Sequence, residues 1–255
     1  MEINKIYNVN CLDGLALLDE NSIDLVITSP PYNVQVPYDT WADNLPVEEY
    51  FAFTKNWLTL VYRALQPDGR IALNIPYESN YNYLEWGRCF LVAEYWSIMK
   101  EIGYKFAGIV DLKEDHPQHH SPRGSWMSPS APYIYNPKEC VIIAYKEQWR
   151  KNKQSTKYFV GEDGKKEYLS LLYGQWPYRA ETRGLTQANF SLDIPLSALK
   201  MLSWEDDLIV DPFMGSGTTA VACKMMKRNY IGFEISSEYA KLAETRVDSF
   251  DINKV

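Results

Sequence analysis

The chain has no uninterrupted run of about 18 apolar residues, the length a membrane-spanning helix needs, so no membrane span is expected. Its opening stretch, MEINKIYNVN, lacks the apolar segment of a secretory signal. Cysteine is scarce: Cys11, Cys89, Cys140 and Cys223 lie far apart and never form a C-x-x-C pair. That argues against a zinc site and a disulfide framework, and fits a reducing cytoplasm. Histidine is scarcer still, with 3 residues in all. His116, His119 and His120 sit among Pro and Ser with no nearby Cys or acidic cage, so they read as loop residues and no metal is expected. A basic excess is also missing, with 33 acidic residues against 26 basic ones and a net charge of −7. This excludes binding of nucleic acid through the whole surface but leaves room for a local basic cleft.

What the chain does have is an alternation of apolar runs with helix-period segments. IDLVIT (23–28) is a continuous apolar run of the kind found in buried parallel strands. Residues 47–66 carry apolar side chains at helical spacing and stop at Pro67-Asp68-Gly69, and RIALNI (70–75) follows as a strand. The same reading predicts strands at 5–9, 104–112, 139–146, 207–212 and 229–235, and helices at 89–103, about 195–203 and about 217–227, with a last helix in SEYAKLAETRV. Such alternation predicts an α/β domain with a mostly parallel sheet covered on both faces, spanning 1–255 as one unit. Two stretches break the pattern. Residues 113–138 are rich in Pro, Ser and His, and 147–189 are polar and include the basic run QWRKNKQSTK. Long irregular segments in compact domains are usually functional or disordered, so both are candidate substrate-facing loops.

Two blocks carry chemistry. In DLIVDPFMGSGTTAVACKMMKRNYIGFEIS, a strand ends at Asp211, a turn containing Gly215 and Gly217 leads into a helix, and a second strand ends at Glu234. Glycines let the backbone approach a ligand, a helix start presents free N–H groups, and an acid at the next strand's end is placed for ribose hydroxyls. The run Gly215-Ser-Gly-Thr-Thr-Ala220 also fits the dinucleotide pattern G-x-G-x-x-A. An Asp at the strand tip, however, would repel a pyrophosphate and suit a cofactor bearing an ammonium group.

The second block, Thr28-Ser29-Pro30-Pro31-Tyr32-Asn33, directly follows IDLVIT. Its two prolines impose a rigid, extended loop. The hydroxyl of Ser29 and the carbonyl of Pro30 can each accept a hydrogen bond, and Tyr32 offers a flat face for a base. An exocyclic base nitrogen is a poor nucleophile because its lone pair is delocalised into the ring. Two acceptors that draw its hydrogens out of plane aim that lone pair at an incoming methyl group, by orientation and electrostatics alone.

SPPY and DPFMGSGTT, in this order and with a polar segment between them, resemble the paired motifs of DNA amino-methyltransferases of the permuted β group, which modify cytosine N4 or adenine N6. The resemblance covers nearly the whole chain. It implies a Rossmann-like methyltransferase fold with a mostly parallel seven-stranded sheet, a circularly permuted motif order, and S-adenosyl-L-methionine as cofactor. It implies that Asp211, Phe213, Gly215 and Gly217, with Ser216 and Thr218 of the same loop, line the methionine part of the cofactor. Glu234 would bind the ribose, and Ser29, Pro30 and Tyr32 would hold the target base. Asn10 and Cys11 stand where the family often has an acid and its neighbour near the adenine, so the Asn is a departure. The segment Phe190–Pro195 lacks the family's His-Pro and leaves Ser191 as its candidate contact. Ser29, where adenine-modifying relatives mostly have Asp, and a cytosine-type loop at Gly124–Pro132 point to cytosine N4.

A duplex hides its amino groups, so the base must be extruded. Double-stranded DNA is the expected partner, with Arg123, Arg150, Lys151 and Lys153 as candidate phosphate contacts and 147–189 as a target-recognition insert. A cognate restriction endonuclease is a candidate second partner, and the expected assembly is a monomer or homodimer. Three readings compete. A nicotinamide-dependent oxidoreductase explains the glycine loop but not SPPY, a protein or RNA methyltransferase shares the chemistry, and a non-catalytic DNA-binding module needs neither block.

Overall fold

A computed structural model describes the chain apart from residues 39, 82–86, 115–124, 126–127, 133, 135, 152–158, 180–189 and 251–255. The elements follow in the order β1 (Lys5–Asn8), α1 (Cys11–Ala16), β2 (Ile23–Thr28), α2 (Val47–Ala64), β3 (Leu65–Pro76), β4 (Ser79–Asn80), β5 (Arg88–Cys89), α3 (Leu91–Ile102), β6 (Lys105–Glu114), β7 (Glu139–Tyr145), α4 (Gly161–Leu172), β8 (Gln175–Tyr178), α5 (Asp193–Leu202), β9 (Leu208–Asp211), α6 (Thr218–Met225), β10 (Asn229–Glu234) and α7 (Ser237–Ser249). No helix among the described residues is long and apolar enough to cross a membrane.

The main sheet runs β1-β10-β9-β2-β3-β7-β6-β8, with β4 and β5 forming a separate antiparallel pair. Within it, β3–β7 and β6–β7 are antiparallel and the other neighbours are parallel. The sheet is thus mostly parallel, as expected, but has eight strands rather than seven. The extra edge strand, β8, lies inside the polar 147–189 stretch. It is four residues long and pairs with β6, and its Trp176 is fully buried. A strand so short carries too little alternation to stand out from its polar surroundings. The helix α4 precedes it in the same stretch, so part of the expected insert belongs to the sheet's own edge.

Strand alternation sorts the core into two layers. On one face Ile23, Val26, Ile71, Leu73, Ile75, Cys140 and Ile142 meet the buried residues of α1, α2 and α3. On the other, Leu25, Ile27, Ala72, Val141 and Ile143 meet those of α5, α6 and α7. The helix α2 buries Val47, Tyr50, Thr54, Trp57, Leu58, Val61 and Ala64, the three-and-four spacing of a helix facing a core. It ends two residues earlier than its periodicity predicts because Leu65 already pairs with Ile23 across β2 and β3.

The parallel strands β10, β9, β2 and β3 stand side by side and deliver their carboxyl ends to one edge of the sheet. In open α/β sheets, ligands bind outside that edge. The strand β7 runs the other way, so its first residue, Glu139, pairs with Pro76 and arrives at the same edge.

Candidate active site

One cavity of about 280 Å³ opens at this edge. It brings together Ser29, Pro30 and Tyr32 with Asn10, Cys11, Asp211, Phe213, Gly215, Ser216, Thr218 and Glu234. The two sequence blocks therefore face one another, although they lie at opposite ends of the chain. No Lys, Arg or His is among the described lining residues, whereas three carboxyls are: Asp211, Glu234 and Glu139.

Asp211, 2% exposed at the tip of β9, accepts hydrogen bonds from the Thr28 hydroxyl (2.6 Å), the Thr219 hydroxyl (2.6 Å) and the Phe213 N–H (3.0 Å). Burial pushes its carboxyl above the ordinary range, and these three donors pull it back. Glu234 ends β10 and bridges two backbone donors, the N–H of Gly215 (2.7 Å) and that of Ser236 (2.9 Å). It thereby ties the glycine turn to the neighbouring strand. Gly215 and Gly217 both have positive φ, 52° and 83°, the backbone region where glycine carries no side-chain penalty. Gly217 does not line the cavity. It caps α6, and a Cβ there would meet the Ala243 Cβ at 2.9 Å, so its role is a close turn against α7. Arg246 of α7 donates to the Ser216 carbonyl and hydroxyl and to the Thr218 hydroxyl, which clamps the turn from behind.

Asn10 caps α1 by accepting from the Leu12 N–H at 2.9 Å, which explains why an Asn serves at that position. Cys11 is buried and its thiol is pushed up to about 12, so it packs rather than reacts. Ser191 is buried beside the cavity, and its neighbour Phe190 reaches the lining instead.

On the side of the Ser29–Tyr32 loop, the hydroxyls of Ser29 and Tyr32 are 2.6 Å apart, and Tyr32 donates to the Asn74 carbonyl at 3.3 Å. A carbonyl only accepts, so the phenol proton points at Asn74 and the Ser29 hydroxyl donates to Tyr32. The Ser29 oxygen then keeps its lone pairs for an acceptor role in the cavity it lines. Burial raises the Tyr32 phenol well above its usual value and keeps it protonated. The loop is pinned further along. Asn33 exchanges hydrogen bonds with the Leu45 backbone, and Asp43 accepts from the N–H groups of Asn33, Val34 and Val36.

Several cavity residues were not evident from the sequence. Tyr38, Trp41, Phe53 and Tyr239 supply aromatic walls, with the Trp41 and Phe53 rings 4.8 Å apart. Asn74 and Glu139 line the part beside Tyr32, and Asn74 Nδ2 donates to Glu139 Oε2 at 3.0 Å. The one sequence signal was Asn74 itself, a polar residue in the apolar strand RIALNI, 2% exposed in the structure.

The basic run is corrected in part. Lys151, a candidate DNA contact, is buried with 6% of its side chain exposed, and its ammonium pairs with Asp24 at 3.1 Å and Asp207 at 2.9 Å. Its ammonium is committed to these two carboxylates, which ties the chain to the sheet. Trp149 is likewise held, with the Arg70 guanidinium 4.4 Å over its ring. Arg150 is exposed, while Arg123 and Lys153 lie outside the described residues, as do the three histidines and Gly124.

The chain is similar to known proteins over most of its length. A family model described as DNA methylase, for N6 and N4 methyltransferases, matches residues 23–245. The chain is 33% identical over 190 residues to the type II methyltransferase M.MjaVI of Methanocaldococcus jannaschii, covering 71% of this chain and 93% of that one. It is 28% identical over 253 residues to the type II methyltransferase M.HpaI of Haemophilus parainfluenzae, covering 94% and 73%. Among solved structures, a candidate DNA modification methylase of Thermus thermophilus, complexed with S-adenosyl-L-methionine, superposes with a TM-score of 0.73 at 22% identity, covering 96% and 95% of the two chains. The cytosine-N4-specific PvuII DNA methyltransferase does so with a TM-score of 0.70 at 21% identity, covering 98% and 88%.

Proposed function

We propose, from the premise that the chain belongs to the N6/N4 DNA methylase family, that it transfers a methyl group from S-adenosyl-L-methionine to the N4 amino group of a cytosine extruded from double-stranded DNA. The observation that carries this reading is the single cavity in which Ser29, Pro30 and Tyr32 face Asp211, the glycine turn and Glu234. Its lining suits that cofactor: the carboxyls of Asp211 and Glu234 complement a cationic amino acid and a ribose, and aromatic rings suit an adenine. The same lining disfavours a nicotinamide dinucleotide, whose pyrophosphate would face carboxyls with no basic residue among the described lining. When bound, the cofactor supplies an electrophilic methyl group.

The chain's own residues do the rest. Ser29 and the Pro30 carbonyl accept the two amino hydrogens and turn the nitrogen lone pair out of the ring plane. Tyr32 stacks on the base, and its hydrogen bond to Asn74 keeps its ring in place. Exposed Arg150 and the segment around it contribute to target recognition through phosphate contacts.

Cytosine N4 is favoured over adenine N6 by Ser29, because a hydroxyl is a neutral and weaker acceptor than the Asp carboxylate that the family resemblance implies for most adenine-modifying members. The test incubates the protein with labelled cofactor and unmethylated genomic DNA, RNA or protein, then separates nucleosides by mass spectrometry. Label in N4-methylcytosine is the expected result. N6-methyladenine alone would overturn the base assignment, and label in RNA or protein alone would overturn the substrate class.

A further inference from the structure

The cavity holds three carboxyls, and two of them already have partners that explain them. Asp211 is held by Thr28, Thr219 and the Phe213 N–H, and Glu234 by the N–H groups of Gly215 and Ser236. Both belong to the glycine-turn side. The third, Glu139, stands on the base-facing side, at the end of a hydrogen-bonded chain that starts at the target-base loop. Ser29 contacts Tyr32, Tyr32 donates to the Asn74 carbonyl, and the Asn74 side-chain amide donates to Glu139 Oε2. That amide also donates to the Cys140 carbonyl at 3.2 Å, so its orientation is set and Oε1 of Glu139 is left without a hydrogen-bond donor among the described residues.

Methylation of an amino group creates a proton to dispose of. As the nitrogen lone pair forms the new N–C bond and the C–S bond of the sulfonium donor breaks, the nitrogen becomes cationic and must lose one of its two hydrogens. Neither the Ser29 hydroxyl nor the Pro30 carbonyl is basic enough to keep that proton. We propose, building on the functional reading above, that Glu139 is the catalytic base that receives this proton and that Asn74 is the residue that positions it. The N–H bond electrons return to the nitrogen, one of the two hydrogens leaves its Ser29 or Pro30 acceptor for a carboxylate oxygen of Glu139, and the carboxyl then releases the proton to solvent through the open cavity.

The environment suits this task. Burial raises the Glu139 carboxyl above its ordinary value, with the Asn74 hydrogen bond acting against it, which makes it a stronger proton acceptor than an exposed carboxylate. Among the described residues, Tyr32, from the loop after β2, and Cys140, its neighbour on β7, are titratable groups that feel its charge, and the exposed Lys138 precedes it in the chain. Burial holds Tyr32 and Cys140 in their neutral forms, Cys140 at about 12. Behind β7, Asp111 of β6 accepts from Tyr77.

The test measures single-turnover methyl transfer to unmethylated genomic DNA as a function of pH for wild type, Glu139→Gln and Glu139→Asp. Calorimetric affinity for the demethylated cofactor is read in parallel. Wild type should speed up as pH rises through the Glu139 value and then level off. Glu139→Gln should be slower by on the order of 100-fold or more, with that pH step gone and cofactor affinity retained. Glu139→Asp should recover part of the rate, with the step shifted. A Gln variant with a near-wild-type rate, or with the wild-type pH step intact, would overturn the assignment to Glu139 and leave the enzyme class standing. A wild-type protein that transfers no label to DNA would overturn the functional reading and this inference together.

Discussion

The hydroxyl of Thr28 donates to a carboxyl oxygen of Asp211 at 2.6 Å, across 183 residues of sequence. Thr28 is the last residue of β2, directly before the target-base loop, and Asp211 is the last of β9, directly before the glycine turn. Because β2 and β9 are parallel neighbours, this one bond joins the two halves of the site at their bases. The proposed positions of the target base and of the methyl donor therefore share one contact.

Thr28→Val keeps the shape of the side chain but removes this donor from a buried carboxyl. A hydrogen bond to a charged group contributes about 1.5–3 kcal/mol, so both thermal stability and cofactor affinity should fall by amounts of that order. Calorimetric titration beside a melting curve measures the two. Unchanged cofactor affinity in a destabilised variant would mean that the bond serves the fold alone.

Ser29→Ala removes the proposed amino-group acceptor without touching the glycine turn. Methyl transfer should drop on the order of 100-fold, the scale for losing one preorganised polar group at a reacting atom, while cofactor binding stays level. Tyr32→Phe should have a milder effect, since the ring remains to stack and only its bonds to Ser29 and Asn74 are lost. Radiolabel transfer under single-turnover conditions ranks the two variants; the reverse order would count against Ser29 as the acceptor.

Lys151→Met should behave as a stability variant. Removing one partner from a buried ion pair costs about 3–5 kcal/mol, because Asp24 and Asp207 would lose the ammonium that sits between them. Urea unfolding should show the loss, while the salt dependence of DNA binding keeps its slope. Arg150→Ala should do the opposite, leaving the unfolding midpoint in place and reducing the magnitude of that slope by about 0.9, the contribution of one phosphate contact.

Glu139→Gln carries a second signature, in stability. The folded carboxyl titrates above its ordinary value of 4.5, so its contribution to stability is complete below that value and is lost as pH rises through the folded one. Glutamine does not titrate and can still accept from Asn74. The variant should therefore melt at a higher temperature than wild type at pH 8, with the gap closing towards pH 4. Melting curves across that range check it, and a gap that widens on acidification would reverse the sign argued here. A residue that destabilises the fold in its working state fits a functional role better than a structural one.

The amino-acid sequence by itself determined the α/β class, the helix α2 and the two blocks around Ser29 and Asp211. Each of these is written in local terms: a period of side chains, a pair of prolines, glycines at a strand end. The eighth strand, β8, was not legible, because four residues in a polar stretch carry no period and are held as a strand only by β6 beside them. Lys151 read as a surface charge because its run contains no acid; its partners Asp24 and Asp207 come from distant segments. Glu139 read only as the start of an apolar strand. What brings it to the cavity is the antiparallel direction of β7, which places a strand's first residue at the edge where its parallel neighbours end. Strand direction and charge pairing are relations between segments far apart in the chain, and only the folded sheet decides them.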